Sequence, residues 1–161
     1  MDPQLLAQIA ALIAEGRGET WDTVAVLPLL DLESGSRFGL DPKGIWVTIM
    51  PGHPAPLCFG PGTERRFAEL LETPRAEVEQ LLDARARAYG LPSDPLTLSV
   101  PSIELVRAVL GSGAAHFTRL GLLWLLPSEL RLLRKEIAAV AVDNRMPRTV
   151  KEIAQRLVVP E

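Results

Sequence analysis

The stretch IMPGHPAPLCFGPGTERRF, Ile49 to Phe67, holds one of two histidines, the only cysteine and a run of prolines and glycines. A cysteine beside a histidine can serve as a thiolate nucleophile, provided the imidazole takes the thiol proton or a positive neighbour lowers its pKa. His53 is the one nearby base for Cys58. Extended chain advances about 3.3 Å per residue, so five residues put the two groups about 16 Å apart unless the loop doubles back. Strand alternation also sets Leu57 and Phe59 on one face and Cys58 on the other, where a cysteine behaves as a small apolar residue. The expectation is a bend with no catalytic residue. One cysteine and two histidines fall short of a four-ligand zinc site, and no paired spacing is present, so neither metal nor cofactor is expected. His116 is expected at a helix entry.

The end of that stretch, GPGTERR, carries a different chemistry. A glycine-flanked turn entering a helix presents free backbone N–H groups and the positive end of the helix dipole, which suits an anion. Thr63, Arg65 and Arg66 are the candidate anion-binding residues, with Thr63 alternatively an N-cap. Neither phosphate-loop nor dinucleotide glycine spacing occurs, and no G-x-S-x-G, H-E-x-x-H or calcium-loop pattern is present. Dispersed carboxylates such as Asp22, Asp31, Glu33 and Asp41 could still do general acid–base work.

The elements that must position these residues follow from periodicity. Asp2 can cap a helix whose first turn holds Pro3 and whose Leu5, Leu6, Ile9, Leu12 and Ile13 recur at helical spacing, ending at EGRG. Four extended segments follow, Thr23 to Leu32, Arg37 to Leu40, Ile45 to Met50 and Ala55 to Phe59, which form an antiparallel meander. Asp41, Pro42 and Gly44 suit a type I turn between the second and third. Pro28 cannot donate to a ladder, so its strand is expected at an edge or broken there. Two helices are predicted after Gly62, divided by Thr73 and Pro74, and LTLSV at 96–100 alternates like a strand. Ser102 can cap a helix over Ile103 to Leu110, and the rest reads as helical. The predicted fold is a single α+β domain over 1–161: residues 1–61 a helix plus a meander covered on one face by helices, and 62–161 mostly helical with that one further strand.

RTVKEIAQRLVVPE resembles the second helix of a helix-turn-helix, in its capped start, its KEIA core and its following leucine, and Thr149 and Glu152 fit a capping box. Ser128 to Asn144 would be the preceding helix. The resemblance implies nucleic-acid binding, with Arg145, Arg148, Lys151 and Arg156 on phosphates. It stops at Val158, where a small residue is usual, and the chain reaches Glu161 without a recognition helix. The charge pattern agrees in sign: residues 1–61 carry 7 acids and 3 bases, residues 127–161 carry 5 acids and 7 bases.

Between Phe117 and Leu133 the apolar residues outnumber one helical face. They are either deeply buried or covered by another chain, with Phe117, Leu120, Leu123 and Trp124 the candidate interface. The run is too short and too interrupted for a membrane span. A hydrophobic share of 47% and a charged share of 23% suit a chain that folds as an ordinary globule. The N-terminus lacks a signal-peptide pattern, so the expected location is cytoplasmic. These features point first to a non-enzymatic accessory or regulatory protein acting through protein contacts as a homodimer. A nucleic-acid-binding regulator stands second, and a small enzyme with dispersed carboxylates third.

Overall fold

A computed structural model describes residues 1–158 and shows an α+β chain of two compact units. One comprises Met1–Thr63 with Thr73–Val100, the other Glu64–Glu72 with the chain from Pro101 on.

The first unit opens with α1, Pro3–Ala14, whose first free N–H groups need an acceptor. Asp2 supplies it, taking the Leu5 N–H at 2.9 Å. Five strands follow in sequence order: β1 Glu19–Trp21, β2 Val24–Asp31, β3 Arg37–Leu40, β4 Trp46–Met50 and β5 His53–Cys58. All neighbours are antiparallel. The sequence reading lacked β1, which is three residues long and joined to β2 by a two-residue turn with Asp22 at φ 53°. Aspartate tolerates that left-handed conformation better than most residues.

Pro28 does break its ladder. The register slips between Pro28 and Leu30, and β1 pairs only with Val24, Ala25 and Val26, so no partner on that side waits for the missing N–H. The strand itself is internal. At the slip Pro28 faces Gly39, where any Cβ would collide with the Leu27 carbonyl oxygen and the Val26 side chain. The Asp41 turn forms as the sequence implies, with the Asp41 carboxylate taking the N–H groups of Lys43 and Ile45, each at 2.8 Å, and Gly44 at φ 78°.

The sheet is buried on both sides. Trp21, Val26 and Val47 form one small core with Val24 and Ile49 packed against it, while α1 and α2, Arg75–Tyr89, pack on β2. Leu5, Ile9, Leu27, Leu40 and Leu82 are fully buried, and each such side chain contributes about 1.5–3 kcal/mol of transfer free energy. Helix α2 ends at Gly90, φ 71°, whose left-handed conformation lets the Leu91 N–H reach the Ala86 carbonyl at 2.9 Å. Its first residue, Arg75, follows Pro74 directly.

The expected strand at 96–100 is a helix instead, α3, Ser93–Leu98. Five alternating residues are too few to separate the two periods. The local signals favour a helix start, with Asp94 and Pro95 in the first turn, where an acid meets the positive dipole end and a proline lacks only an N–H that has no partner. Leu96 is fully buried, whereas Leu98 is 83% exposed, so the alternation marks no shared face. Just past α3, the Ser99 carbonyl accepts the Trp46 indole N–H at 2.8 Å.

The second unit begins with a 3-10 helix, Glu64–Glu72, whose buried Phe67 and Leu70 lie three apart, the repeat of that helix. Four α-helices complete it: α4 Ser102–Leu110, α5 Ala115–Trp124, α6 Arg134–Val142 and α7 Arg148–Leu157. Ser102 is the first residue of α4, behind Pro101. Gly121 lets α5 approach α4, because a Cβ there would lie 2.7 Å from Val109 Cγ2, and the Thr118 hydroxyl donates to the Val109 carbonyl at 3.2 Å. The helix predicted from Ser128 starts only at Arg134, the preceding residues forming successive turns. Among the described residues no helix is long and apolar enough to cross a membrane.

Candidate functional site

His53 opens β5 and Cys58 closes it. One extended strand therefore holds imidazole and thiol at its two ends, about 16 Å apart at the usual strand rise, and Cys58 is exposed. Among the described residues no group of three or more His, Cys, Asp or Glu side chains is placed to hold a metal ion.

Thr63 ends the first segment of the first unit, and its hydroxyl is consumed by the loop it closes. It donates towards the carbonyls of Cys58 (2.7 Å) and Gly60 (3.0 Å) and accepts the Gly60 N–H at 3.0 Å. Arg65 and Arg66 stand in the first turn of the 3-10 helix, and an Arg65 guanidinium nitrogen lies 3.5 Å from the Gly111 carbonyl. His116 lies in the first turn of α5, a helix entry as expected. Its Nε2 is 2.6 Å from Glu72 Oε1 and its ring meets Phe117 edge-on.

The dispersed acids are largely taken up by the fold. Asp41 holds its turn and Asp22 forms the β1–β2 turn. Asp31 belongs to an ionic cluster that sequence spacing did not reveal. Arg37 grips Glu19 through two nitrogens at 2.8 and 2.9 Å and donates from Nε to Asp31 at 2.8 Å. Arg85 reaches the second Asp31 oxygen at 3.1 Å, and the Trp21 indole donates to Glu19 at 3.0 Å. Arg37 also stacks over the Trp21 ring, and Arg17 over Tyr89. The Arg37 bonds, then the Trp21 bond, pull the Glu19 carboxyl down to about 2, and the same Glu19 and Asp31 carboxylates raise the Arg37 guanidinium. One sequence signal was present: Asp31 and Arg37 flank the β2–β3 turn and face each other in its register.

Of the four basic residues near α7, two are engaged in place. Arg145 forms a two-pronged pair with Asp143, at 3.0 and 2.8 Å, and with its own backbone N–H holds that carboxyl down at about 2. Arg148 meets Glu152 at 2.8 Å. That pairing replaces the expected capping box: α7 starts one residue earlier, behind Pro147, with no side-chain cap. The face carrying Lys151 and Arg156 remains. The turn and recognition helix of a helix-turn-helix would fall at and beyond Val158, and residues 159–161 lie outside the described residues.

The candidate interface residues divide. Trp124 is buried at 4% exposure and Phe117 and Leu120 are half-buried, but Leu123 is 57% exposed. It has company in the same unit: Leu126, Leu132 at 62% and Val142 at 76%. In the first unit a groove of about 590 Å³ opens between α2 and α3, lined by Glu79, Asp83, Asp94 and Leu98 among others. Ser93 donates to Asp83 at its edge, at 2.5 Å. Sequence periodicity could not find this groove, because it depends on α3 being a helix.

Compared with family models, with curated proteins and with solved structures, the chain finds no match.

Proposed function

We propose that this chain is a cytoplasmic accessory or regulatory protein that acts through protein contacts, made by the apolar surface of its second unit and first of all with a second copy of itself. The observation that supports this reading is the uneven use of side chains. Polar groups with chemical potential, Arg37, Asp31, Thr63, Arg145 and Arg148, are committed to internal ion pairs and loop bonds. Large apolar groups, Leu123, Leu126, Leu132 and Val142, stand in solvent within one unit. Exposed large apolar side chains gain by leaving water at an interface, and twofold dimers are the commonest soluble assemblies.

Sedimentation across a dilution series from about 1 to 100 μM tests it, a range that brackets common homodimer affinities. The expected result is a dimer for the wild type and a monomer for the Leu123→Asp, Leu132→Asp double variant with unchanged circular dichroism. A wild type that stays monomeric throughout overturns the reading.

A further inference from the structure

We draw no further inference here: the strongest candidate, the exposed apolar surface patch at Leu126 and Leu132 in the turns between α5 and α6, belongs to the surface already proposed for self-association, and nothing in the structure shows what covers it.

Discussion

Arg37 and Glu19, eighteen residues apart in sequence, meet across three strands in a two-pronged ion pair at 2.8 and 2.9 Å. Its consequence is a pH dependence of known sign. Glu19 has a folded pKa of about 2 against an ordinary value of 4.5. Between those limits the unfolded chain binds a proton that the folded chain refuses, so stability is fully present above about pH 4.5 and declines as pH falls towards 2. Both side chains are more than a third exposed, so the pair is expected to stabilise by only about 1 kcal/mol once solvent screening is included. Urea unfolding of wild type and Glu19→Gln from pH 7 to pH 2 should show a difference that shrinks across that window. A constant difference would contradict the pairing.

Gly39 sits where β3 passes the slipped register of β2, with no room for a methyl. Gly39→Ala should lose about 1–3 kcal/mol in denaturant unfolding, since a backbone oxygen as well as the Val26 side chain blocks the new atom. Gly60→Ala is the control, because that position meets no atom within 4 Å and has no positive φ. Equal effects at the two glycines would show the strands are not so close.

Trp46 joins β4 to the end of α3 through its indole bond to the Ser99 carbonyl. Trp46→Phe keeps most of the ring volume and removes the donor, leaving a carbonyl unsatisfied, which costs about 1–2 kcal/mol. Chemical denaturation followed by circular dichroism measures the change. No loss of midpoint would mean the bond is absent in solution.

The Thr63 hydroxyl ties three backbone groups of the β5 exit loop. Thr63→Ser should be tolerated, whereas Thr63→Val should destabilise by about 1–2 kcal/mol because these loop groups lose their partner. Thermal melts of the pair of variants separate the hydroxyl from the methyl.

How much of this was legible in the sequence depended on how local the cause was. The Asp2 cap and the Asp41 turn involve contacts three or four residues apart, and the residue types state them. The Arg37 cluster is set by strand register, and a three-residue β1 carries too short a pattern to fix one. LTLSV misled because five residues satisfy either period, and α3 follows from the first-turn chemistry of Ser93, Asp94 and Pro95. The division into two units left no mark either, since the chain passes between them at Thr63, Glu72 and Val100 in short turns and not through a long linker. Of the candidate interface residues Leu123 is exposed and Trp124 buried, a division the sequence does not show because composition gives an apolar excess but not which members face outwards.

Strand β5 is last in the sheet order and carries Pro54 and Pro56. A strand added from another molecule would need main-chain donors along that margin, and at two of its six positions none exists. That margin of the sheet is thereby a poor template for fibre growth. Copies crowded against β5 are left with side chains as the means of contact along most of that edge.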